Sequence, residues 1–280
     1  MYEVIFLLVL AIIWIIAASV QDLKQREVAN WLSFSLIAFA LGFRFFYSVF
    51  NVGSSAFFYQ GLIGLAIFFI IGNLLYYGRV FAGGDGKLMI ALGTVLPFSE
   101  SFWFNMNVFV LFLVVFLITG AIYGFIFSGF LALRNLRGFK KEFNKRIKQS
   151  IIMMNVITAV AVIIIGSGFI MLNILIFALG VLVLIMPYLY IYAKSVEEAC
   201  MIKKVAAKNL TVGDWLYQDV RIGKRTIKAN WEGLSDKEIK LIKKHKKSVL
   251  IKQGIPFVPV FLNSFLVLIY LYFVYGLTIL

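Results

Sequence analysis

The chain has 280 residues, 62% of them hydrophobic and only 14% charged, with a net charge of +14, a mean hydropathy of +0.96 and one cysteine. A soluble domain is nearer half apolar and a quarter charged, so this composition excludes an ordinary soluble globular protein. The lone Cys200 excludes an internal disulfide and any Cys-x-x-Cys metal site, and the basic excess fits loops and surfaces facing anionic lipid better than a nucleic-acid partner.

The apolar residues come in runs. Residues 1–20, 31–50, 57–77, 108–130, 151–168, 172–192 and 256–276 each hold enough of them to cross a hydrocarbon core of ~30 Å. An eighth run, 88–98, is short and follows a Gly-rich turn. It reads as a short span or a re-entrant segment. The first run lacks a basic leading region and a small-x-small cleavage site, and Glu3 stands near its start, so it is expected to remain as a span.

Charge placement sets the expected topology, because basic loops stay in the cytosol. Lys24 and Arg26 follow the first run, Arg79 and Lys87 flank the Gly-rich turn, and Arg134, Arg137, Lys140, Lys141, Lys145, Arg146 and Lys148 precede 151–168. A further basic stretch runs from Lys194 to Lys252. If 88–98 crosses, all of these fall on one side. The expectation is eight spans with both termini outside, and a six-span core with two shallower segments is the alternative. Arg44 is the exception, inside the second run, and is expected to snorkel to the outer interface.

The expected architecture is an all-α polytopic membrane protein with a small cytosolic α+β domain. Its parts are a membrane catalytic core over 1–133, a basic cytosolic loop over 134–149, a transmembrane helix pair over 150–193, the small domain over 194–255 and a last span over 256–280. Within the small domain, 209–220 alternates around a Gly-Asp turn and reads as a short hairpin. Ser235 with Glu238 three residues on reads as a capping box for a helix through Lys247, and 248–252 reads as a strand.

Aspartate occurs five times, as Asp22, Asp85, Asp214, Asp219 and Asp236, and the last three belong to the small domain. The membrane portion therefore holds two, both at expected cytosolic ends of spans, where ionisable groups are costly and often functional. Two carboxylates at one depth can share a proton. One then activates a water as general base while the other, protonated, polarises a scissile carbonyl. Asp85 lies among Gly83, Gly84 and Gly86, which allow close approach of another backbone. The plainer readings are an N-cap in an ordinary Gly-rich turn for Asp85 and a solvated loop residue for Asp22. A proton- or cation-coupled transporter is the rival function, since two membrane carboxylates also bind cations.

At these residues the sequence resembles the prepilin peptidase family, and its archaeal preflagellin peptidase branch in particular. That family carries an Asp-x-x-x-Arg-x-Ile-Pro-Asn stretch after its first span, and here the stretch is Asp22-Leu-Lys-Gln-Arg26-Glu-Val-Ala-Asn30. Its Gly-x-Gly-Asp-Val-Lys-Leu motif, followed by Ala-Leu-Gly, corresponds to Ala82-Gly83-Gly84-Asp85-Gly86-Lys87-Leu88 and then Ala91-Leu92-Gly93. A third likeness lies in Leu210-Thr-Val-Gly-Asp-Trp-Leu, Gly233-Leu-Ser and Gly254-Ile-Pro-Phe-Val-Pro259. The departures are Ala29 for proline, Ala82 for glycine and Gly86 for valine, and 134–193 match nothing in the family's pattern.

The resemblance implies an intramembrane aspartyl endopeptidase of the plasma membrane. It would remove short basic leaders from pilin- or flagellin-like precursors at the cytosolic face, with Asp22 and Asp85 as the catalytic pair and Gly83, Gly84 and Gly86 at the substrate. No metal or cofactor is implied, and anionic lipids of the cytosolic leaflet are the other expected partners. Lys87 and Arg26 could orient the pair or bind lipid phosphate. A basic leader needs counter-charges, for which Glu27, Glu142, Glu197 and Glu198 are available. The cysteine-rich insertion linked to N-methylation is missing, so no methyltransferase activity is expected. The Tyr-Asp and Pro-Ala-Leu motifs of presenilin-like proteases are missing too.

Overall fold

The computed structural model describes residues 2–51, 55–223 and 225–275. Its helices are α1 (Tyr2–Gln25), α2 (Asn30–Phe50), α3 (Ser55–Tyr77), α4 (Gly83–Leu92), α5 (Phe102–Arg134), α6 (Leu136–Gln149), α7 (Ile151–Ile170), α8 (Ile174–Cys200), α9 (Asp236–His245) and α10 (Val258–Tyr275). Its strands are β1 (Ile202–Ala206), β2 (Trp215–Leu216), β3 (Val220–Ile222), β4 (Arg225–Ile227) and β5 (Ser248–Lys252). Among the described residues seven helices, α1, α2, α3, α5, α7, α8 and α10, are long and apolar enough to cross a membrane. The protein is a mostly helical polytopic membrane protein with a small sheet region. The outermost residues of two expected spans, Met1 and Gly276, lie outside the described residues.

The chain divides into two compact units, Met1–Gly124 with Ile255–Leu280, and Phe125–Gly254. In the first unit the inward face of each helix follows from helical spacing. On α1 the buried stripe is Leu7, Ala11, Ile15, Ala18 and Asp22, and on α2 it is Ser33, Leu36, Ala40 and Arg44. Positions three and four apart share one face, so each stripe of small and aliphatic residues ends in a charge.

Arg44 does not snorkel. It is fully buried. Its Nε donates to the Thr94 carbonyl at 2.8 Å, Nη1 to Phe57 at 2.9 Å, and Nη2 to Val95 at 3.2 Å and Pro97 at 2.6 Å. Its guanidinium also lies 4.3 Å from the centre of the Phe57 ring. The physical reason is α4, which stops at Leu92. The chain then turns and runs irregularly to Phe98, with every residue from 91 to 98 buried. Unpaired carbonyls in an apolar interior cost several kcal/mol each, and the planar fork of arginine meets several at once.

This segment runs from one end of the unit to the other. At its start Lys87 bonds Asn30, the first residue of α2. At its finish the Phe98 amide donates to Asn105 Oδ1, and the Asn105 amide donates to Gln60 Oε1 near the start of α3. A ten-residue helix rises about 15 Å, and the less regular residues after it add about as much again. The segment passes α3 closely because glycines face each other. A Cβ on Gly64 would collide with the Gly93 carbonyl, and one on Gly72 would lie 2.8 Å from Ile90 Cγ1. Small residues at such crossings are what packing in lipid requires.

In the second unit α7 and α8 pack as a hairpin, tightest where Gly168 meets the Phe177 backbone and Gly180 meets Ile165. Of the connection 134–149, expected as a loop, Leu136–Gln149 form the helix α6. Phe139, Phe143 and Ile147 recur every fourth residue and are half-buried, while Arg137, Lys140, Lys141, Lys145 and Lys148 stay exposed. Asn135 caps α6 by accepting from the Gly138 amide at 3.3 Å.

The small domain follows α8. Its three strands lie in the order β1-β5-β2, all antiparallel, around Leu210, Leu216, Leu234, Ile239, Ile242, Val249 and Ile251. The expected hairpin over 209–220 is corrected. Gly213 and Asp214 instead pair with Leu234 at 2.9 Å in each direction, and β2 pairs with β5. The local hairpin is the next one along, β3 with β4. Ser235 and Glu238 form the expected cap, with the Ser235 amide and hydroxyl both donating to Glu238 Oε2 at 2.8 and 2.6 Å. The helix ends at His245, two residues early, and β5 has the expected bounds.

Candidate active site

Asp22 sits in the last turn of α1 on the buried stripe, so its carboxylate points into the first unit. The helix closes at Arg26, which takes a left-handed φ of 59° while its amide donates to the Asp22 carbonyl at 2.8 Å. A non-glycine residue there is strained by about 1–2 kcal/mol, partly offset because a cation suits a helix C-terminus. The chain then turns sharply into α2, held by Gln21 Oε1, which accepts from the Ala29 amide at 3.1 Å. α3 closes in the same way, with Arg79 at a φ of 61°.

Asp85 lies in the first turn of α4, half-buried, with its Oδ2 accepting from the Ala82 amide at 3.3 Å. An anion here suits the positive end of the helix dipole. Two contacts join the surroundings of the two aspartates. Lys87 Nζ donates to Asn30 Oδ1 at 2.6 Å. Gly84 meets Val28 so closely that an added Cβ would lie 3.2 Å from the valine Cβ. The stretches that bear the two carboxylates are thereby joined at one end of the first unit.

The aromatic rings beneath complete the enclosure. Phe81, just before the Gly-rich turn, packs with Phe116, Phe257 and Phe261, at centroid distances of 5.8, 6.1 and 6.0 Å. This cluster fastens the start of α4 to the start of α10. There the Val258 amide donates to Asp22 Oδ2 at 3.0 Å. Tyr123 of α5 also lies within reach of the Asp22 charge. Sequence reasoning missed Tyr123, Phe257 and Val258 as neighbours of the site. The only signal for the last two was the Gly-Ile-Pro-Phe-Val-Pro stretch, whose position against Asp22 depends on a contact spanning most of the chain.

The three motif glycines occupy different settings. Gly83 is exposed, Gly84 abuts Val28, and Gly86 is buried against Gly72 and Tyr76. Of the four glutamates, Glu27 is exposed in the turn after Asp22. Glu142 pairs with Arg146 at 3.1 Å, Glu197 pairs with Lys252 and with Lys194, and Glu198 accepts from the Tyr217 hydroxyl at 2.9 Å.

Residues 9–132 match the type IV leader peptidase family. Over this segment, a little under half of its length, the chain is similar to that family. The matched stretch holds both aspartate motifs and stops before α6. The chain is 32% identical over 83 residues to a preflagellin peptidase of Methanococcus maripaludis, covering 30% of this chain and 35% of that protein. It is 32% identical over 85 residues to the preflagellin peptidase of Methanocaldococcus jannaschii, covering 30% and 36%. With that of Methanococcus voltae it shares 30% over 90 residues, covering 31% and 37%. The chain thus spans about a third of the length of the curated relatives it matches. No solved structure matches.

Proposed function

We propose that the protein is an intramembrane aspartyl endopeptidase that removes short basic leader peptides from pilin- or flagellin-like precursors at the cytosolic face of the plasma membrane. The observation that carries this reading is that the two motif stretches bearing Asp22 and Asp85 are joined at one end of the first unit, Lys87 to Asn30 and Gly84 against Val28. Two neighbouring carboxylates favour a state with one proton between them. The ionised one takes a proton from water, which attacks the scissile carbonyl. The protonated one donates to the carbonyl oxygen, and the tetrahedral intermediate then collapses as the leaving amine gains a proton. The groups needed are the two carboxylates and a water.

Eight passages of the membrane fit this reading, with 83–98 as the short one. That count puts Arg26, Arg79, Lys87 and the α6 cations on the cytosolic side, against anionic lipid. Gly83 is the glycine best placed for an incoming substrate backbone. Gly84 and Gly86 contribute by letting α4 sit close to Val28 and α3. Glu27 is the counter-charge for a basic leader, because it is exposed beside Asp22 while Glu142, Glu197 and Glu198 have partners within their own unit.

The test is leader removal from such a precursor by the protein reconstituted in vesicles. Wild type and Asp214→Asn are expected to cleave, and Asp22→Asn and Asp85→Asn are expected to be inactive while folded. Near-wild-type cleavage by either of the last two removes that aspartate from the pair. A wild type that cleaves no precursor but moves protons or cations across the vesicle replaces the peptidase with a transporter.

A further inference from the structure

The residue that holds Asp22 lies far outside the family-matched stretch. Val258 is the first residue of α10, so its amide is among those at a helix N-terminus that have no partner within the helix. The helix dipole adds partial positive charge at the same point. Two prolines narrow the choice of donor, since Pro256 and Pro259 carry no amide hydrogen. The Val260 amide is already given to the Phe257 carbonyl at 3.0 Å. The Val258 amide is directed at Asp22 Oδ2. The start of α10 is itself fixed, by Phe257 and Phe261 in the aromatic cluster and by a 2.6 Å hydrogen bond between Ser264 and Thr119 of α5. Asp85 has a longer bond, to an amide at its own helix start.

We propose that the start of α10 is a positioning element of the active site: the Val258 amide holds the Asp22 carboxylate aimed and ionised, which makes Asp22 the residue that activates water and Asp85 the one that donates a proton to the scissile carbonyl. This rests on the peptidase reading above and extends the working site from residues 9–132 to the last span. Val258 acts through Asp22 and does not itself meet the substrate.

Val258→Pro deletes the hydrogen of the 3.0 Å bond, at the helix position where proline fits best, and leaves in place the neighbouring Phe257 amide, which also faces Asp22. It is expected to lower precursor cleavage about tenfold or more, since hydrogen bonds to charged groups are the strong ones. It is also expected to move the acid limb of the pH–rate profile up by about one unit, because a carboxylate that loses a donor protonates more readily. Val258→Ala keeps the amide hydrogen and is expected to restore the acid limb to its wild-type position. A purely structural role would lower yield in both variants and leave the limb in place. Melting temperatures of Asp22→Ala, which removes the acceptor, Val258→Pro and the double variant decide the contact without any activity. The contact predicts that the double variant melts about where Val258→Pro does, and additive drops would overturn it. Wild-type cleavage with an unmoved limb in Val258→Pro would overturn the positioning role alone. A wild type that cleaves no precursor would overturn the peptidase reading and the division of roles with it.

Discussion

Two charges are tied to opposite ends of the 83–98 segment, and the protein supplies them differently. Arg44, at the far end, is fully buried with Nε and both Nη atoms bonded to four backbone carbonyls. Asp85, at the near end, is half-buried, has one bond of 3.3 Å to its own helix start, and stands near a second carboxylate. A saturated charge fixes one backbone path and has nothing left to offer a substrate. An under-supplied one contributes little to folding and keeps lone pairs available. The helix dipole of α4 tolerates both, with an anion at its start and a cation beyond its end.

The largest effect expected from breaking this contrast is on activity. Asp22→Asn and Asp85→Asn should each lower the rate of leader removal by about 10²–10⁴-fold, read on a gel against wild type. Next comes Arg44→Leu, which strands several buried carbonyls and should destabilise the first unit by several kcal/mol. The check is its yield and melting temperature in detergent. Arg44→Lys should recover only part of the loss, since a point-like ammonium cannot copy the guanidinium fork. Gly64→Ala should be milder, about 1–3 kcal/mol, because the added methyl meets the Gly93 backbone and α3 must shift.

Two smaller changes sharpen the near end. Glu27→Lys should raise KM for a basic-leader precursor several-fold with kcat little changed, as expected for a charge used in binding alone. Lys87→Met removes the exposed bond to Asn30 and should cost about 1 kcal/mol or less, seen as a small drop in melting temperature.

The same contrast explains what the sequence could tell. Asp22 and Asp85 stood out because acids are rare in this membrane portion and each lies in a motif with a definite order of neighbours. Arg44 was misread because its closeness to the end of a span was weighed above its register. Counting back by helical turns through Ala40, Leu36 and Ser33 places it on the inward stripe. The helical nature of 134–149 was masked by its cations, although Phe139, Phe143 and Ile147 are spaced as one face. In the small domain, the Ser235–Glu238 cap and strand 248–252 were legible because both are local signals. The pairing of β2 with β5 was not, because it joins residues far apart in sequence, and neither was the Val258 contact with Asp22.

The most direct measurement is the melting temperature of Asp85→Asn in the detergent used for the cleavage assay, beside wild type and Arg44→Leu. If the near end of the segment is reserved for chemistry, Asp85→Asn melts within about 2 °C of wild type, because a neutral amide then replaces a carboxyl that already carries the shared proton. A drop as large as that of Arg44→Leu would show that Asp85 is a structural cap like its opposite number, and would contradict its place in a catalytic pair.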